Sequence, residues 1–194
     1  MTYAPSRNYN LKDERLFMSE QRGRPMYTSR ARQVLKDVEF IREKLENETS
    51  TTEWRLNWIT AVVLVRAVGH VLSKVDGATT PSVRELANKL HKEWKAGDGD
   101  NEIFVKFIEE ERNNILKEYE LGVSEGPVPI VAIMQNSLTG ELFEQRALID
   151  ENIYRPMLGG YYEGEDGRTL LDESVIWWKI QLDKIDNLIE TRPY

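Results

Sequence analysis

The chain has no cysteine and only two histidines, His70 and His91, in 194 residues. Without cysteine there is no disulfide, no thiolate zinc site, no iron–sulfur cluster and no thiol nucleophile. The two histidines lie far apart in sequence, so a multi-histidine metal centre is excluded, and a Ser-His-Asp arrangement would have to use one of them. No metal and no cofactor is expected. A reducing cytoplasm is the simplest compartment for such a chain.

Positive charge is also in short supply. There are 26 Lys and Arg against 33 Asp and Glu, a net −7. The imbalance is uneven. Residues 1–44 carry ten basic and six acidic side chains, a net +4, which leaves −11 for the rest. An acidic body repels a phosphate backbone, so strong non-specific nucleic-acid binding is not expected. The basic stretch containing Arg22, Arg24, Arg30 and Arg32 reads as a solvated arm and first helical turn. Long apolar runs are missing too. The longest, Trp58–Leu72, is broken by Thr60, Arg66, Gly69 and His70, too short and too polar to span a bilayer. The opening Met-Thr-Tyr-Ala-Pro-Ser-Arg has no apolar core of a signal peptide.

What is present suits one folded domain: 40% hydrophobic and 30% charged residues. Residues 1–28 read as a loosely ordered basic arm, broken by Pro5, Gly23 and Pro25, with a possible short helix at Leu11–Met18. Residues 29–194 read as a single helical bundle.

Ser29–Asn47 carries apolar residues at Ala31, Val34, Leu35, Val38, Ile41 and Leu45, a helical stripe that Thr28 or Ser29 can cap. Thr51–Val75 is a long helix, apolar nearly all round from Trp58, opened by the capping box Ser50-Thr51-Thr52-Glu53 and ended by Asp76-Gly77. Pro81–Ala96 follows, capped by Thr80 and stopped by Gly97. Asn101–Leu121 places Phe104, Ile108, Ile115 and Tyr119 on one face, and Gly122 ends it.

The period then changes. Val128–Met134 and Glu141–Ile149 read as two strands around a Gln135–Gly140 turn, a hairpin inserted at about 127–150, with Phe143, Ala147 and Ile149 on one side. A Gly- and Tyr-rich surface loop covers about 151–168. The last helix, from about Leu170 to Glu190, shows a heptad seam of Leu171, Val175, Trp178, Leu182, Ile185 and Ile189, with Thr169-Leu170-Leu171-Asp172 as its capping box. The fold expected is mainly α, about five helices with a β-hairpin before the last.

Few residues suggest chemistry. Asp98-Gly99-Asp100-Asn101-Glu102 lacks the ligand spacing of a calcium loop and reads as an Asp cap after a Gly stop. Gly159–Gly167 is acidic and lacks the Gly-Lys-Ser/Thr of a phosphate loop. Its Tyr161 and Tyr162 suit a contact patch. Trp177 points about 100° away from Trp178 on a helical wheel, so one face cannot bury both, and Trp177 is a candidate interface residue.

The polar run Glu109-Glu110-Glu111-Arg112-Asn113-Asn114 places Glu111 and Arg112 at the two edges of an apolar stripe. Arg66 and His70, one turn apart on the most apolar helix, need partners. Glu110 or Glu111 is the simple choice. The sharper expectation is a polar pocket in which Arg66, His70, Glu111 and Arg112 meet a phosphate or carboxylate.

Four helices with Arg112-Asn113 opening a short motif on a late helix resemble the HEPN superfamily, over about residues 29–121. The resemblance implies a commonly dimeric bundle. Its catalytic members are metal-independent RNases with a His four to six residues after the Arg. Here those positions are Lys117, Glu118 and Tyr119. A neutral imidazole exchanges protons near pH 7, and a solvated lysine ammonium does not accept one.

The expectation is therefore a non-enzymatic binding or interaction module, cytoplasmic and homodimeric, with a protein or RNA as possible partner and no membrane. The alternatives are a divergent toxin-type RNase using Arg112, Asn113 and Lys117, and a sensor of a small anionic ligand.

Overall fold

The computed structural model describes residues 26–150 and 152–191. The candidate helix Leu11–Met18, Arg22 and Arg24 lie outside them. The described residues form five helices and one two-stranded antiparallel hairpin placed before the last helix.

Helix α1 spans Ser29–Asn47. Its apolar stripe buries Ala31, Leu35, Val38 and Leu45. The expected Thr28 cap is not made. The Thr28 hydroxyl donates instead to Asp186 (2.8 Å). The free N–H groups of Arg30 and Ala31 donate to the carboxylate of Asp76, at 3.0 and 2.9 Å. A buried acid from the next helix caps this one. Arg32 is likewise no solvated residue, for it pairs with Asp183 and Asp186 on the last helix.

Helix α2 runs unbroken over Thr51–Thr79. Asp76-Gly77 does not stop it, because a π-helical segment, Leu72–Asp76, carries the chain through to Gly77–Thr79. At that length α2 is long and apolar enough to cross a membrane by composition, which the sequence reading did not expect. In the bundle it buries Trp54, Trp58, Ala61, Val62, Val65 and Val68 against its neighbours. Half of its capping box forms. Ser50 Oγ accepts from Glu53 N–H (3.3 Å), but Ser50 N–H goes to Glu48 (2.8 Å), not to Glu53.

Helix α3 is Pro81–Ala96, ended by Gly97 in the left-handed conformation (φ +70°). Thr80 precedes it without a side-chain cap bond. Asp98 makes none either, before a 3-10 turn at Gly99–Asn101. Helix α4 then enters through a π-helical segment, Phe104–Glu109, and becomes regular over Glu110–Glu118. It stops earlier than expected. Tyr119 takes the left-handed conformation (φ 56°) and is exposed, so it does not join the buried face.

Helix α5, Gly167–Glu190, starts three residues before the expected point. Asp166 caps it by accepting from Arg168 N–H (2.9 Å), in place of the predicted Thr169 box. Its heptad seam is buried from Leu171 to Ile185, with Ile189 half-buried. A second seam of Leu170, Ser174, Trp177 and Gln181 is buried beside it. The helix packs on α1, α2, α3 and α4, so two of its faces are covered.

Strands β1, Val128–Gln135, and β2, Leu142–Ile149, pair in the register Val128↔Ile149 to Gln135↔Leu142. The alternation of sequence implies a covered face. The structure leaves both faces open: Ile133 is 73% exposed, Phe143 50% and Leu138, at the tip, 94%.

Candidate functional site

The polar run on α4 is held by the helix around it. Buried Phe104, Phe107, Ile108 and Ile115 fix its inner face. Phe107 belongs to that stripe and shifts its middle onto Glu111. Glu111 is therefore not at an edge but inside, 2% exposed. Its Oε1 accepts from the Trp58 indole N–H (3.0 Å) and from Gly122 N–H (2.9 Å). Burial pushes its carboxyl above the usual carboxylate range, while those two donors pull it down and Glu110 pushes it up. Gly122 is required, since a Cβ there would run into Glu111 Oε2 and come within 3.1 Å of the Met157 methyl. Glu111 is a strut between α4, α2 and the following loop.

Arg112 stays at the stripe's edge, half-buried, and donates to Asn113 Oδ1 (2.9 Å). Lys117 is exposed. Arg66 finds an acid on α4, as expected, but the acid is Glu109 (3.1 Å). Glu109 also receives Lys95 (2.5 Å), and the Arg66 guanidinium lies 5.4 Å from the Phe104 ring centre. His70 is exposed. Arg66 is thus paired with Glu109 and Arg112 with Asn113, and Glu111 is engaged by Trp58 and Gly122.

The 152–168 segment is no loose surface loop. Ser124 N–H donates to Pro156, Met157 N–H to Glu165 and Gly167 N–H to Arg155, at 2.8, 2.8 and 2.9 Å. Arg155 is buried, its guanidinium 4.0 Å from the Trp54 ring centre. Arg168 is buried as well, paired with Asp166 (2.9 Å) and donating to the carbonyls of Asn152 and Ile153. Burial raises the Asp166 carboxyl, but the Arg168 guanidinium and the N–H groups of Arg155 and Arg168 outweigh it and hold the group below its usual range. Sequence reading missed both arginines, because nothing local distinguishes a buried Arg from a surface one.

A cavity of about 270 Å³ opens between α4 and this segment, lined by Lys106, Glu110, Asn114, Gly122, Met157 and Tyr162 among others. Arg66, His70 and Arg112 do not line it. Its carboxylates, Glu110 and Glu111, outnumber its single cation, Lys106, so it does not suit an anion.

Of the aromatic candidates, Tyr161 is exposed and donates to Glu102 (2.9 Å), stacked edge-on against the half-buried Tyr162 at 4.9 Å. Trp177 is corrected. It is 5% exposed, packed against Trp94, Phe104 and Trp178 inside the bundle and not on its surface. The two-seam burial of α5 hides both tryptophans.

The hairpin is the apolar surface that stands out. Ile130, Val131, Ile133, Met134, Leu142, Phe143 and Leu148 are all exposed on strands of eight residues each. Comparison with protein-family models, with curated proteins and with solved structures finds no match.

Proposed function

We propose that this chain is a HEPN-like helical module that binds rather than cleaves, with the β-hairpin as its contact element. One observation carries the reading: a two-stranded sheet stands off the bundle with apolar side chains exposed on both faces. An isolated hairpin is marginal in water, and exposed apolar patches of this kind mark interaction sites. The polar run on α4 supports binding over RNA cleavage. Arg112 is turned onto its neighbour Asn113, and Glu111 is spent on Trp58 and Gly122.

The test is photo-crosslinking in cells with a photoreactive residue at Ile133 or Phe143, against the same residue at Lys179 on the bundle. Crosslinks from the hairpin positions alone are expected. Crosslinks from neither would refute the contact role. Metal-free cleavage of total RNA that Arg112→Ala abolishes would replace this reading with the RNase one.

A further inference from the structure

The hairpin has two open edges, and they are not equivalent. Asn136 N–H donates to the Glu141 carbonyl (2.8 Å), which makes those two residues a hydrogen-bonded pair next to the turn. Such pairs alternate along an antiparallel ladder. With Gln135 opposite Leu142, the residues Phe143, Gln145 and Ala147 turn their backbone groups inward to β1. Leu142, Glu144, Arg146 and Leu148 turn theirs outward. On β1 the outward residues are Pro129, Val131, Ile133 and Gln135. Pro129 has no N–H to offer and guards that edge. The β2 edge has neither proline nor glycine, and every residue from Leu142 to Leu148 is exposed.

We propose that a second copy of the chain adds to this edge, β2 against β2, antiparallel about a two-fold axis at Gln145. The proposal rests on the hairpin being the contact element. Charge selects the register. Outward residues must face outward residues, so registers differ by steps that move the axis one residue. With the axis at Glu144, that carboxylate faces its own copy. With the axis at Arg146, two guanidinium groups face each other. With the axis at Gln145, Glu144 faces the partner's Arg146 twice over, and Leu142 faces the partner's Leu148. Like charges directly opposite destabilise a sheet, and opposite ones stabilise it. Among the described residues these groups pair with each other, Arg146 to Glu144 at 3.4 Å, and both are well exposed. Pairing turns a marginal two-stranded ribbon into a four-stranded sheet. Val128, Ile130, Ala132, Met134, Phe143, Ala147 and Ile149 of each copy then share one face, mostly apolar, around the two Gln145 side chains at the axis.

The cysteine-free chain makes the register directly readable. Gln145 falls at a non-hydrogen-bonded pair, where Cα atoms are about 4.5 Å apart and a disulfide fits. Gln145→Cys in the full-length protein is expected to oxidise to a covalent dimer in high yield. Leu142→Cys, whose copies lie roughly 20 Å apart in this register, and Val131→Cys on the other edge are expected to stay monomeric on the same gel. In sedimentation, Glu144→Arg is expected to weaken the dimer about tenfold, and Glu144→Arg with Arg146→Glu to restore it within about threefold. A wild-type chain monomeric at roughly 100 µM overturns the proposal. So does a disulfide that forms at Val131→Cys in place of Gln145→Cys, or a dimer indifferent to both charge variants. Hairpin crosslinks to a different protein beside such a result would leave the contact role standing. No hairpin crosslink to any protein would remove both.

Discussion

Glu111 and Asp76 show how acids of ordinary appearance become internal struts. For Glu111 the sign of the pH effect follows from burial. Its carboxyl is raised in the fold above the ordinary 4.5, so the folded chain holds that proton more tightly than the unfolded one. Stability tied to this group is present below 4.5 and is lost as pH rises through the raised value. Glu111→Gln keeps an oxygen for Trp58 and Gly122 and removes the titration. Between about pH 4 and about pH 7 the melting temperature of Glu111→Gln is therefore expected to climb relative to wild type. A gap that stays flat or moves the other way in thermal denaturation would contradict the assignment. Asp76 is 4% exposed and satisfies two N–H groups of α1. Asp76→Ala leaves the buried Ala31 N–H and the part-buried Arg30 N–H without their acceptor, and chemical denaturation is expected to show a loss of about 2 kcal/mol. Sequence marked Asp76 as a helix stop because its partners lie 45 and 46 residues away.

At the scale of elements, the hairpin and the 152–168 segment exchange the roles that patterning gave them. Alternating strands suggest a covered sheet, yet β1 and β2 are open on both faces. Gly- and Tyr-rich sequence suggests mobility, yet 152–168 is pinned by backbone bonds and two buried arginines. The consequence is testable by excision. Val128 and Ile149 are register partners, so a short Gly-Ser linker can replace residues 128–149 and leave Asp150, which accepts from the N–H groups of Asn152, Ile153 and Tyr154, in place. The bundle is expected to keep its helical circular dichroism and to change stability by no more than about 1 kcal/mol. A larger loss would mean that the hairpin supports the core.

At the scale of the whole molecule, α2 and α5 approach so closely that their contact decides the sign of a substitution. Gly69 lies in the middle of α2, where Ala would gain about 1 kcal/mol by helix propensity. A Cβ there, however, would sit 2.8 Å from Cη2 of Trp178, which is fully buried. Overpacking a close-packed interior costs roughly 1–3 kcal/mol, so Gly69→Ala is expected to destabilise by about 1–2 kcal/mol in urea unfolding. The five helices, their order and the hairpin before the last were all readable. Apolar residues spaced at three and four, or at two, dictate which segments can bury one side. Helix ends read less well. The caps of α1 and α5 come from Asp76 and Asp166, and two π-helical segments carry the chain past expected stops.

The candidate site divides the same way. Sequence by itself determined the absence of thiol chemistry, the acidic body, the lack of any histidine after Arg112 and the alternation that makes a hairpin. These depend on residue identity and near-neighbour spacing. Only the tertiary structure decided that Arg66 belongs to Glu109, that Glu111 is internal and that Trp177 is buried. It alone left the hairpin faces uncovered. Partner choice for a charged or aromatic side chain depends on which segments meet in space. A heptad or an Arg-Asn pair is the same string whether its neighbours cover it or not.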